Sequence, residues 1–113
     1  MIELPFPPAS LSGHAKGHWR SKSNPTAVYR ELAREATKAA GVYVPGGKGD
    51  IRVIVTFYPA NRRGDRVNFP IRIKPMFDGI ADALGVNDSR FLPSYIFGEP
   101  VKGGKVVVQI DAR

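Results

Sequence analysis

Ile51-Arg52-Val53-Ile54-Val55-Thr56-Phe57-Tyr58 is the stretch on which the fold turns. Seven of its eight residues, all but Arg52, are β-branched or aromatic, and such side chains suit a pleated, half-buried surface. Its near-continuous apolar character predicts a central strand. Gly46-Gly47-Lys48-Gly49 forms a turn before it, and Pro59-Ala60-Asn61 breaks it afterwards.

Downstream, Ile73, Met76, Phe77, Ile80 and Leu84 recur at helical spacing. They predict a helix from Phe69 or Pro70 to Leu84, closed by Gly85, with that apolar face in the core. Lys74, Asp78 and Asp82 fall four apart on its opposite edge. Ser94 to Phe97 and Lys105 to Ile110 read as a final antiparallel pair, with Lys102-Gly103-Gly104 as its turn. Upstream, Ile2 to Phe6 reads as a short strand stopped by Pro7-Pro8. Residues 9 to 24 read as a long polar loop, and loops of that length are often functional. Asn24-Pro25 should open a first helix, since asparagine caps well and proline is tolerated at the first helical position. Val28, Leu32, Ala36 and Ala39 are its expected core face. Arg30, Arg34 and Lys38 form an i, i+4 row elsewhere, either a solvated face or a phosphate-tracking stripe. Gly41 ends it. The expectation is an α/β fold: one small domain with a mixed β-sheet and two packed helices, in the order β-α-β-α-β-β.

The 113 residues hold one domain large enough for a real core. There is no cysteine, so disulfides and thiolate metal sites are excluded and a reducing compartment is expected. No apolar run approaches the ~20 residues of a membrane span, and Met1-Ile2-Glu3-Leu4-Pro5 lacks the basic lead of a secretory signal. A cytoplasmic protein without a membrane partner is expected. A net charge of +7 and a pI near 10.1 favour polyanions, of which nucleic acid is the commonest.

The densest polar segment is Asn61-Arg62-Arg63-Gly64-Asp65-Arg66-Val67-Asn68, between the strongest strand and the second helix. Such loops are where sites tend to lie. Past the helix comes Val86-Asn87-Asp88-Ser89-Arg90. A carboxylate from each loop could converge across the sheet edge. Phosphodiester hydrolysis uses convergent carboxylates, because Mg²⁺ takes one or two of them plus water and phosphate oxygens. Asp65 and Asp88 could equally be turn residues that bond their own backbone.

Three stretches resemble the RusA family of Holliday junction resolvases. Leu4-Pro5-Phe6-Pro7-Pro8 resembles its N-terminal "LPxPP" strand, and Arg63-Gly64-Asp65-Arg66-Val67-Asn68 is similar to its "RxDxDN" loop. Lys74-Pro75, then Asp78 to Leu84, then Asn87-Asp88, is similar to its "K(P)xxDAL…DD" helix and loop. Tyr29-Arg30 and Lys102-Gly103-Gly104 also fit, so the likeness runs in order along nearly the whole chain. The resemblance implies a homodimeric, Mg²⁺-dependent endonuclease, with Mn²⁺ able to substitute, that cuts four-way junctions in branched DNA. It implies Asp65, Asp88 and Lys74 as catalytic residues and Asp65 and Asp88 as metal ligands. Asn68 matches the loop's asparagine. Arg62, Arg63 and Arg66, with Asn68 and Lys74, are the expected DNA contacts. Two departures matter: Val67 stands where the family has a second loop aspartate, and Asn87 replaces the first member of the acidic pair. Asp78 is a candidate substitute ligand, against the alternative of a plain Lys74–Asp78 surface pair.

Ile51, Val53, Val55 and the aromatic final strands offer more apolar surface than one small face needs, which fits a two-fold dimer. His14 and His18 make a poor metal pair among glycines. Trp19 suits either base stacking or a core or dimer contact. Two rivals stand beside the nuclease: a branched-DNA-binding protein of the same fold that has lost catalysis, and a basic RNA-binding protein.

Overall fold

The computed structural model describes residues 1–8, 19–44, 46–64 and 66–112. The elements run β1 (Ile2–Leu4), α1 (Trp19–Ala40), β2 (Ile51–Tyr58), α2 (Lys74–Leu84), β3 (Phe91–Phe97) and β4 (Lys105–Ala112). One four-stranded mixed sheet has the order β1-β4-β2-β3. β4 pairs antiparallel with both β1 and β2, and β2 pairs parallel with β3. The α/β class, the element order and the central place of β2 are as expected.

Both helices cover one face of this sheet. Ile51, Val53, Val55 and Phe57 alternate inward from β2 and are fully buried. They meet Val106 and Val108 of β4, Tyr29 and Ala33 of α1, and Met76 and Ile80 of α2 in one core. The inward residues of β2 are thus consumed inside one chain. They supply no surplus surface for a dimer, which corrects that part of the expectation.

The last two strands are not a hairpin. β2 lies between them, because the segment after β3 crosses over rather than folding back. β3 also begins three residues earlier than expected, at Phe91, and passes through Pro93. Gly98 donates its N–H to the Phe57 carbonyl, which fixes the phase of the parallel ladder. By alternation, residues 92, 94 and 96 bond toward β2 and residue 93 faces the free edge. Proline there has no ladder bond to lose, which is why an edge strand tolerates it.

Helix α1 begins at Trp19 rather than at Asn24, with Pro25 inside it. The proline costs the bond its missing N–H would make one turn back. Nothing in 19–23 forbids helix, so Asn24-Pro25 was a false start signal. The loop expected at 9–24 loses its last six residues to this helix, while 9–18, with His14 and His18, and the side chain of Trp19 lie outside the described residues. The core face of α1 is also displaced by one position. Tyr29, Ala33 and Thr37 are buried, Ala36 packs partly, and Val28 and Leu32 are 58% and 42% exposed. Thr37 is accommodated because its hydroxyl donates to the Ala33 carbonyl at 2.7 Å. The Tyr29 hydroxyl donates to the Pro5 carbonyl at 2.9 Å, tying α1 to the end of β1, and burial pushes its pKa up.

The two helices touch closely where α2 carries Gly79. A Cβ there would stand 2.2 Å from the Arg30 carbonyl oxygen. The Arg30 guanidinium grips Asp82 across this contact with two bonds, 2.8 and 3.0 Å.

Candidate functional site

The chain between β2 and α2 is held at its far end by aromatic packing. Phe69 is buried, with its ring edge-on to Phe6 at 5.0 Å and tilted against Phe57 at 5.6 Å. It follows the 3-10 turn Arg66–Asn68, whose Arg66 carbonyl accepts the Phe69 N–H. A second 3-10 turn, Pro70–Ile73, leads into α2. The helix therefore starts at Lys74, with Pro75 in its first turn where the missing N–H costs nothing. The expected start at Phe69 or Pro70 fell on this 3-10 segment.

At the other end, Gly85 adopts the left-handed conformation, φ 67°, and its N–H bonds back to the Ala81 carbonyl. The Asn87 side chain then caps a 3-10 turn, Asp88–Arg90, by accepting the Ser89 N–H at 2.9 Å. Arg90 donates through Nε to the Gly49 carbonyl at 2.8 Å, which pins the turn beside the start of β2. This fold-back brings residues from the two ends of α2 together.

Lys74 is where they meet. Its Nζ bonds Asp78 Oδ1 at 2.9 Å and Asp88 Oδ2 at 2.5 Å. The bond to Asp88, then that to Asp78, raises the Lys74 pKa above its ordinary value. The Lys74 bond in turn holds the Asp88 carboxyl below the usual carboxylate range. All three side chains are at least partly open to solvent. Lys74 and Asp88 border a shallow cleft of about 210 Å³ lined also by Phe77, Phe91, Pro93 and Tyr95. The i, i+4 surface pair of Lys74 and Asp78 is present, but Lys74 does more than that pair requires.

Two carboxylates that share one ammonium define a point where a cation is held by oxygens from two elements. A divalent ion suits such a donor set, since Mg²⁺ needs only one or two carboxylates and keeps its waters. Among the described residues no group of three or more His, Asp or Glu gathers as a metal site. Asp65 lies outside the described residues.

The arginine loop is exposed on the same connection. Arg62 pairs with Glu99 at 2.5 Å, and the Arg63 N–H is accepted by Asn61 Oδ1 at 2.8 Å. Arg66 is exposed and Asn68 half-buried. Val67 is 77% exposed, so it does not pack into the core. Asn87 spends its side-chain oxygen on the backbone of Ser89 and stays out of the Lys74 cluster.

Sequence reasoning missed three features. Arg30 is claimed by Asp82, and Arg34 by Glu31 and Glu35, so two-thirds of the expected basic stripe on α1 is neutralised by acids. The spacing of Arg30 and Asp82 on separate helices gave no local signal for their pairing. The Arg72 guanidinium lies over the Phe69 ring at 5.4 Å. A larger cleft of about 550 Å³ opens on the far side of the Asp88–Arg90 turn.

No family model matches the chain. It is similar to an uncharacterized protein of Xylella fastidiosa (strain Temecula1), 35% identical over 114 residues, an alignment covering 96% of this chain and 74% of the relative. The chain belongs to the family of that Xylella protein. That name states no activity, so what members of the Xylella family do has to be argued from residues. In this member they are Lys74, Asp78 and Asp88 and the arginines before them.

Proposed function

We propose that this member of the Xylella family is a Mg²⁺-dependent endonuclease of RusA type, acting on four-way and other branched DNA in the cytoplasm. The observation that carries this reading is the meeting of Lys74 with Asp78 and Asp88. A helix-start lysine and a carboxylate from beyond the helix end are the pair that the RusA resemblance requires together. Bound Mg²⁺ would activate water and stabilise the leaving oxygen of the phosphodiester. Asp88 and Asp78 would hold it, with Asp65 as the third ligand that the resemblance implies. Lys74 balances the two carboxylates in the absence of DNA and meets the negative phosphate when DNA is bound. Arg62, Arg63 and Arg66, with Asn68, contact neighbouring phosphates.

Two related nicks call for two sites about a two-fold axis, and so for a homodimer. Leu92 and Ile96, opposite Arg52 and Thr56 in register, lie on the sheet face away from the helices and are about half exposed. They are the apolar surface that a second copy would cover. Light scattering at micromolar concentration should give twice the chain mass, and a monomer contradicts the dimer.

The inactive-binder reading has one observation in its favour: Asn87 is a structural cap and adds no charge to the site. A panel of labelled four-way junction, linear duplex and hairpin RNA, with Mg²⁺ or EDTA, separates the readings. Nicking of the junction with Mg²⁺ alone supports the nuclease. Tight junction binding without nicking supports the binder, and preference for RNA supports neither.

A further inference from the structure

We infer that the cleft between residues 46–50 and residues 85–90 is a second phosphate site, which takes the DNA backbone as it leaves the Lys74–Asp88 cluster. The inference rests on the nucleic-acid reading above. The cleft measures about 550 Å³, within the roughly 300–1,000 Å³ of sites that hold a small ligand, and so has room for a phosphate with its sugar. Lys48 and Arg90 line it against one acid, Asp50, and Val44, Leu84 and Val86 give it an apolar floor.

Three observations point to phosphate. Lys48 is exposed and has no ion-pair partner among the described residues, whereas Lys74 and Lys105 are both held by carboxylates. Arg90 is oriented rather than free: its Nε bond to the Gly49 carbonyl joins the two walls and sets the plane of the guanidinium at the rim. Gly47, at φ 118°, lets that wall turn with no side chain between Lys48 and an approaching ligand. The neighbouring depression of about 310 Å³, lined by Asp50, Arg52, Leu92 and Asp111, has two acids to one cation and would repel phosphate.

Position ties the cleft to the candidate site. The 3-10 turn Asp88–Arg90 contributes residues to both clefts. Asp88 faces the Lys74 cluster, while Asn87, Ser89 and Arg90 line the cleft behind it. A strand with one phosphate at Lys74 that crosses this turn brings a following phosphate to Lys48 and Arg90.

The test is the salt dependence of binding to a labelled four-way junction, read by anisotropy for the wild type, Lys48→Ala and Lys102→Ala. Lys102 lies in the turn before β4, at the opposite end of the sheet, and its loss is the same change in net charge. Each phosphate contact contributes about 0.9 to the slope of log affinity on log salt. Lys48→Ala should flatten the slope by about that amount, Lys48→Arg should restore it, and Lys102→Ala should leave it at the wild-type value. Equal slopes for wild type and Lys48→Ala, in a protein that binds and nicks junctions, overturn this site alone. A wild type that neither binds nor nicks DNA overturns the nuclease reading and this inference with it. Inorganic phosphate at matched ionic strength is the second probe. Competition only in the millimolar range is expected, and sub-millimolar competition would assign the cleft to a free phosphate ligand instead.

Discussion

Gly79→Ala tests the contact on which the placement of α2, and with it Lys74 and Asp78, depends. The added Cβ would stand 2.2 Å from the Arg30 carbonyl oxygen, 2.9 Å from the Ala33 Cβ and 3.0 Å from the Arg34 nitrogen. Ordinary carbon contacts lie near 3.5–4.0 Å, so the helices must part by about 1 Å or more. Two of the three atoms are backbone and cannot rotate aside. Overpacking costs about 1–3 kcal/mol, and a backbone collision falls at the upper end. Alanine regains about 1 kcal/mol of helix propensity over glycine. The net expectation is a loss of about 2 kcal/mol, which for a domain near this size lowers the melting temperature by about 8–16 °C. Urea denaturation should show a lower midpoint with an unchanged slope. Separation of the helices also pulls Arg30 from Asp82, whose carboxyl that bond now holds below its ordinary pKa. A variant as stable as the wild type, or more stable, would refute the close approach.

Tyr29→Phe removes the donor to the Pro5 carbonyl and should cost about 0.5–1.5 kcal/mol in urea denaturation, the net worth of one such part-buried bond; no change would mean that water satisfies the carbonyl. Val67→Asp places its charge on a side chain that is 77% exposed, so stability should shift by less than about 0.5 kcal/mol. The Mg²⁺ midpoint of junction cleavage should fall about 10-fold, equivalent to about 1.4 kcal/mol, and an unchanged midpoint counts against a missing ligand at this position. Lys74→Met should return the Asp88 carboxyl toward its ordinary value of 3.8, as read by carbon NMR titration. The sign follows from the two shifts. Asp88, depressed, favours folding above pH 3.8 and loses that contribution as pH falls through its folded value, while Lys74, raised, favours folding below pH 10.5 and loses it as pH rises through its own. Wild type and Lys74→Met should therefore differ most between those limits, and an Asp88 titration unmoved by the substitution would show that another group depresses it.

The strands and helices with strong internal periodicity were legible from the sequence. β2 announced itself through its β-branched and aromatic run, and α2 through Ile73, Met76, Ile80 and Leu84. Where the reading failed, a local rule was overridden by the surrounding structure. The buried face of α1 falls on Tyr29, Ala33 and Thr37, one residue beyond the expected Val28, Leu32 and Ala36, because the Pro5 and Ala33 carbonyls satisfy the two hydroxyls. Asn24-Pro25 carried a helix-start signal, yet six helical residues precede Pro25. β3 begins at Phe91, ahead of the expected Ser94, and passes through Pro93, whose nitrogen faces a free edge. The sheet order was hidden for a further reason: two strands joined by a glycine turn look alike whether they pair with each other or with a strand between them. At the candidate site, Lys74, Asp78 and Asp88 were nameable in advance from motif and spacing. Their convergence was not, since it depends on Gly85, the Asn87 cap and the Arg90–Gly49 bond acting together.

Single-turnover nicking of a synthetic four-way junction by wild type and Asp88→Asn, at saturating protein and with binding measured on the same samples, bears most directly on the proposed chemistry. The substitution keeps the side chain's shape and removes one carboxylate charge from the Lys74 cluster. The wild type should nick in Mg²⁺ and not in EDTA. Asp88→Asn should bind the junction as tightly as the wild type or more tightly, since a negative charge has left a phosphate-binding surface, and should show no detectable nicking. Nicking by Asp88→Asn at the wild-type rate, or a wild type that binds the junction and leaves it intact at every Mg²⁺ concentration, would contradict a nuclease site built on Lys74 and Asp88.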